Sequence, residues 1–162
     1  MSITRLAASA AALALTVLAG AAVAQDYSLR PVSGSVTLNA GFDPDPYRVS
    51  VTPGGSIEAQ SAVSSSCRGY ISNAPDFELT YRAGEWPLIL TVAASADTTL
   101  VVNGPDGRWY CDDDSGEGSN PLIRFGNPQG GTYDIWIGTY SGGLSSGTLL
   151  ITELDILITE LD

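Results

Sequence analysis

Beyond residue 30 the chain alternates apolar and polar positions with a period of two, in short runs separated by Gly, Pro, Asn and Asp. Tyr47, Val49 and Val51 alternate with Arg48, Ser50 and Thr52, and Phe77, Leu79 and Tyr81 with Glu78, Thr80 and Arg82. Successive side chains of a strand leave opposite faces, so each run predicts a strand with one face in a core and the other in water. Further strands are predicted at 88–92, 98–103, 108–111, 122–125, 132–138 and 148–154. No segment after the N-terminus carries capped helical periodicity. Short strands divided by turn residues predict an antiparallel all-β sandwich or barrel. Asn103-Gly104-Pro105-Asp106-Gly107 supplies a preset proline φ and glycines tolerant of positive φ, and predicts a hairpin loop. The small polar stretch 61–66 predicts a surface loop leading to Cys67. Asp134 and Trp136 alternate with Tyr133, Ile135 and Ile137, and so are expected on the opposite face of their strand.

Both chain ends depart from this pattern. After Arg5 an unbroken run of small and apolar residues extends from Leu6 to Val23 and ends in Ala22-Val23-Ala24, before Gln25-Asp26. That order predicts a cleavable signal peptide over residues 1 to about 24 and a periplasmic or secreted protein. The alternative is a membrane anchor, since the run has about the minimum spanning length; its Ala-rich composition and cleavage-type triplet favour the signal. No Cys adjoins the cleavage site, which argues against a lipoprotein. At the other end Leu149-Leu150-Ile151-Thr152-Glu153-Leu154-Asp155 is followed by Ile156-Leu157-Ile158-Thr159-Glu160-Leu161-Asp162, a near-exact tandem heptad. Seven is odd, so in one continuous strand the second copy would turn each matching side chain to the other face. The first copy is therefore expected to complete a sheet within one domain of residues 25–155, and the second, 156–162, to form an extension. An exposed Ile156-Leu157-Ile158 would favour self-association, which keeps an extracellular structural role as an alternative.

Composition narrows the chemistry. There is no His, and all seven basic residues are Arg, against 18 Asp and Glu. Without His there is no Ser-His-Asp or Cys-His nucleophile system; without Lys there is no Schiff base or P-loop phosphate grip. Carboxylate chemistry survives, so a glycosidase-type hydrolase is the enzymatic alternative to a non-enzymatic domain. The acidic balance repels nucleic acid and anionic lipid, and no segment after the signal is long and apolar enough to span a membrane. Two Cys remain, Cys67 and Cys111, and a pair in an exported domain predicts a disulfide.

The densest chemistry is the loop Cys111-Asp112-Asp113-Asp114-Ser115-Gly116-Glu117-Gly118-Ser119-Asn120-Pro121. Adjacent carboxylates repel one another, and a cation would relieve that repulsion, so Asp112, Asp113, Asp114 and Glu117 are candidate Ca²⁺ ligands. The loop is not an EF-hand: Asp112 and Asp114 fit the first and third positions, but Ile123 stands where a bidentate Glu is required. The competing reading is a solvated turn whose Asp side chains cap backbone amides. Among the aromatics, Trp109 and Tyr140, beside this loop and a Gly-rich turn, are the candidates for an exposed stacking surface.

In order, Asp97-Thr98-Thr99-Leu100-Val101-Val102, Pro105-Asp106-Gly107, Asp112-Asp113-Asp114-Ser115-Gly116, Asn120-Pro121-Leu122-Ile123 and Gly131-Thr132-Tyr133-Asp134-Ile135-Trp136-Ile137-Gly138 resemble the bacterial pre-peptidase C-terminal domain. The resemblance covers about residues 76–154. It implies a jelly-roll-like β-sandwich of the kind appended to exported enzymes, where it assists secretion or binds a substrate such as collagen or a polysaccharide. It therefore also implies an exported protein or an extracellular polysaccharide as partner. No catalytic domain is attached in this sequence, so no proteolytic activity follows.

Overall fold

The computed structural model describes residues 25–154. Residues 1–24, expected as a signal peptide, and the second heptad, 156–162, lie outside the described residues. In chain order the elements are β1 (Ser35–Asn39), β2 (Tyr47–Val51), β3 (Gly54–Gly55), β4 (Ile57–Glu58), a one-turn helix α1 (Ala59–Ala62), β5 (Tyr70–Ile71), β6 (Phe77–Arg82), β7 (Leu88–Ala94), β8 (Thr98–Asn103), β9 (Trp109–Asp112), β10 (Leu122–Phe125), β11 (Gly131–Thr139), β12 (Gly143–Leu144) and β13 (Gly147–Thr152).

The period-two runs place their apolar sets where alternation requires. The larger sheet runs β1-β6-β11-β8-β9, with β5 and then β4 continuing along β11 past the end of β6. The smaller sheet runs β10-β7-β13-β2, and β12 pairs with β3 as a separate ribbon. Between the two large sheets lies the main core. Leu38, Phe77, Leu79, Tyr81, Leu100, Val102, Tyr133, Ile135 and Ile137 come from one side, and Leu88, Leu90, Val92, Ile123, Leu149 and Ile151 from the other. Each such Leu or Ile stabilises the fold by about 1.5–3 kcal/mol through the apolar surface it removes from water.

The fold is an all-β sandwich with a Cys67–Cys111 disulfide, Cα atoms 5.1 Å apart. One expectation is corrected: the sandwich is not wholly antiparallel, because β1 pairs with β6 in parallel, Val36 opposite Leu79 and Leu38 opposite Tyr81. Parallel neighbours need a long crossover, and the chain supplies one by passing through β2 in the other sheet before returning to β6.

Both β8 and β11 are buried on both faces over most of their length. A second, smaller core explains this. Val101 and Trp136, pointing away from the main core, pack with Ala59 of α1, Cys67 and Ile71 under the disulfide-tied segment. Part of the stretch expected as a polar loop is thus the end of α1, whose first residue, Ala59, is fully buried. Where β6 gives way to β5 along β11, Asp76 closes the gap. Its backbone N–H donates to Ile135 O at 2.8 Å, and its Oδ2 accepts from Ile137 N at 2.7 Å.

The first copy of the heptad fills the slot between β7 and β2, as expected, with Leu149 opposite Val92 and Val49. It ends in a buried clasp: Glu153 accepts from the Tyr81 hydroxyl and, at 2.7 Å, from Gly41 N, while its own N–H donates to Asp45 Oδ2 at 3.0 Å. Burial first, then the bond to Glu153, hold the Tyr81 hydroxyl well above the usual tyrosine range. Glu153→Ala should leave the buried Tyr81 hydroxyl without its acceptor, release the Gly41 N–H to water, and lower stability by about 2 kcal/mol. Urea unfolding at neutral pH measures it, and a loss below about 1 kcal/mol would show that the clasp is dispensable.

Candidate functional site

Strand pairing brings together residues that the sequence keeps far apart. Ser35 of β1 lies opposite Glu78 of β6, Glu78 opposite Asp134 of β11, Asp134 opposite Asn103 of β8, and Asn103 opposite Trp109 of β9. These five form one row across the outer face of the larger sheet, because directly paired residues point to the same side. A shallow groove of about 450 Å³ opens at this row, lined by Tyr27, Asn103, Pro105, Gly131 and Asp134 among others. Pro105 belongs to the predicted hairpin between β8 and β9. That hairpin is closed by Gly104 N to Arg108 O and Gly107 N to Gly104 O, each 2.9 Å, with Gly107 at φ 71°.

Asp134 is buried to 7 % exposure and faces a second carboxylate. Desolvation, and then the Glu78 charge, push its carboxyl up to about 6. The alternation expectation holds here, since Asp134 and Trp136 both face away from the main core. No local motif announces the pair, however, because Glu78 and Asp134 meet only through sheet register.

Asp112 organises the acidic loop through its own hydrogen bonds. Asp112 Oδ2 accepts from Ser115 N at 3.0 Å and Leu122 N at 2.9 Å, and Asp112 Oδ1 accepts from the Ser115 hydroxyl at 2.7 Å. Asp112 is therefore the side chain that folds the loop, ending β9 and starting β10. Asp113 is half-buried, and Asp114 and Glu117 are exposed. Asp97, at the start of β8, comes close enough to Asp114 and Asp113 for burial and those two charges to raise its carboxyl. Among the described residues no three His, Cys, Asp or Glu side chains are grouped so that they could hold a metal ion. No step below depends on a bound Ca²⁺.

The two predicted aromatics part company. Trp109 is half-buried, not exposed: its ring centroid lies 5.3 Å from that of Trp136, and it packs on the second core. Alternation along β9 puts it on the same side as Cys111, where α1 and the disulfide provide a partner that sequence alone does not reveal. Tyr140 is exposed, but it follows Thr139, which pairs with Thr98 at the opposite end of β8 from Asn103. They do not share a surface.

No family model matches the chain, and no curated protein matches it by sequence. Among solved structures it is similar to a periplasmic inhibitor of g-type lysozyme, PliG of Aeromonas hydrophila. That similarity has 11 % identity and a TM-score of 0.38, over 74 % of this chain and 96 % of that one. The likeness is slight, and no reading below rests on it. No helix among the described residues is long and apolar enough to cross a membrane.

Proposed function

We propose that this chain is an exported, non-enzymatic binding or accessory domain that holds an extracellular polysaccharide on the outer face of its larger sheet. The observation that carries the reading is the groove at the middle of the row Ser35, Glu78, Asp134, Asn103, Trp109, where Asp134 and Asn103 line it together with Tyr27. The carboxylate of Asp134 and the amide of Asn103, beside the exposed ring of Tyr27, suit a ligand with many hydroxyls and apolar ring faces. The motif order that resembles pre-peptidase C-terminal domains supports the same class of partner.

A second reading is favoured by one feature: Asp134 and Glu78 are adjacent carboxyls, one with a raised pKa, as a glycoside hydrolase requires. Their placement argues against it. Side chains on paired positions of one sheet leave it in the same direction, whereas glycoside cleavage needs carboxyls on both sides of the bond.

Affinity electrophoresis against a panel of soluble polysaccharides tests the proposal. Retardation by at least one polysaccharide is expected, with affinity reduced at least about tenfold in Glu78→Gln/Asp134→Asn, on the scale of about 1.4 kcal/mol or more. Retardation unchanged in the double variant would move the site elsewhere. Polysaccharide cleavage that the same variant abolishes would replace binding with catalysis.

A further inference from the structure

Among the described residues three carboxylates are buried, those of Asp76, Asp134 and Glu153. Two of them are satisfied within the fold. Asp76 accepts from Ile137 N at 2.7 Å, and Glu153 accepts from Gly41 N at 2.7 Å and from the Tyr81 hydroxyl. Asp134 is the exception. It is 7 % exposed and lines the groove, and among the described residues no hydrogen-bond donor reaches its carboxylate. The charge that acts on it, from Glu78 on the neighbouring strand, has the same sign as its own.

Resting on the polysaccharide reading, we propose that the ligand of this groove is an amino-sugar polymer and that Asp134 binds its free ammonium groups. A carboxylate buried without a donor is costly, and a like charge opposite it adds to the cost. A neutral sugar hydroxyl would supply a donor but leave the charge uncompensated. An ammonium supplies both, and hydrogen bonds between charged partners are roughly twice as strong as neutral ones.

The surroundings suit the same group. Asn103 lies opposite Asp134, and its Nδ2 donates to Arg108 O at 3.5 Å, which leaves Oδ1 as a second acceptor for the ligand. Tyr27, exposed at the same groove, offers a ring face to a cation or a sugar ring. Arg108, in the hairpin beside the groove, is turned to Asp106, 3.7 Å away. Uronate and sulfated polymers would set their anions against Asp134 and Glu78.

The test is isothermal titration of the purified, oxidised protein with soluble linear oligomers of one linkage and length, built from glucosamine, N-acetylglucosamine or glucose, in slightly acidic, low-salt buffer. The glucosamine oligomer is expected to bind at least about tenfold more tightly than either of the others. Asp134→Asn keeps the shape of the side chain and removes a buried charge, so it should melt no lower than the wild type and should lose that preference. Equal affinity for the three oligomers, or a preference that survives in Asp134→Asn, overturns the amine assignment and leaves the polysaccharide reading standing. Retardation by a polysaccharide without any binding of the glucosamine oligomer does the same. Oligolysine that binds as tightly as the amino sugar would make the partner a cationic peptide and overturn both readings, as would a protein that binds no saccharide.

Discussion

Opening the Cys67–Cys111 bond should lower stability by about 4 kcal/mol and the melting temperature by roughly 10–20 °C, the largest effect expected from any single covalent change in this chain. The bond links residues 44 apart in sequence. Closing a loop of that size constrains the unfolded chain by about 4 kcal/mol on the chain-entropy model. The native side points the same way. Cys67 is fully buried and Cys111 packs beside it, so the sulfurs form part of the small core that also holds Val101 and Trp136. That core covers the outer face of β8 and β11 at one end of the larger sheet. Without the tie, α1 and the segment to Cys67 would rely on a single fully buried helical residue, Ala59. The comparison is Cys67→Ser/Cys111→Ser against the oxidised protein in thermal melts at one pH. A change of less than about 3 °C would mean that the second core holds the segment unaided.

Much of the sandwich was legible because the main core obeys period-two alternation: Phe77, Leu79 and Tyr81 needed no tertiary information to be placed inward. The strand at 98–103 was bounded exactly, since Asp97 and the Gly104-Pro105 turn flank it. β1 escaped because Val36 and Leu38 are its only apolar positions, and its parallel pairing depends on a crossover rather than on a local turn. The two-residue strands β3, β4, β5 and β12 are too short to show a period. The disulfide followed from a cysteine count and a compartment, but the core it covers did not. Trp109 therefore read as an exposed ring when its partner Trp136 lies 5.3 Å away. The carboxylates of the acidic loop are consecutive and so visible in the sequence, whereas the role of Asp112 as a cap for Ser115 and Leu122 depends on how the loop folds. The row from Ser35 to Trp109 could not be read at all, since its members come from five strands and only register aligns them.

Asp76 should make this protein less stable as the pH rises from about 4 to about 7. Burial is the main cause, pushing its carboxyl up to about 7, while the bond from Ile137 N pulls the other way without overcoming it. An unfolded Asp titrates near 4, so between the two values the native state binds more protons than the unfolded state. Stability from this group is therefore fully present below about pH 4 and is lost as the pH climbs through about 7. Three pH units correspond to about 4 kcal/mol as an upper figure. Asp134, raised to about 6, adds to the same trend. Asp76→Asn keeps an oxygen that can accept from Ile137 N at the break between β6 and β5, but cannot ionise. The variant should match the wild type near pH 4, exceed it near pH 8, and show a flatter pH profile in urea unfolding. Asp76→Ala, which orphans the buried Ile137 N–H, should instead be weaker than the wild type near pH 4 by about 1–3 kcal/mol. A wild-type profile that is level between pH 4 and 8, or one whose slope survives in Asp76→Asn, would show that this carboxyl is ionised in the native sheet throughout.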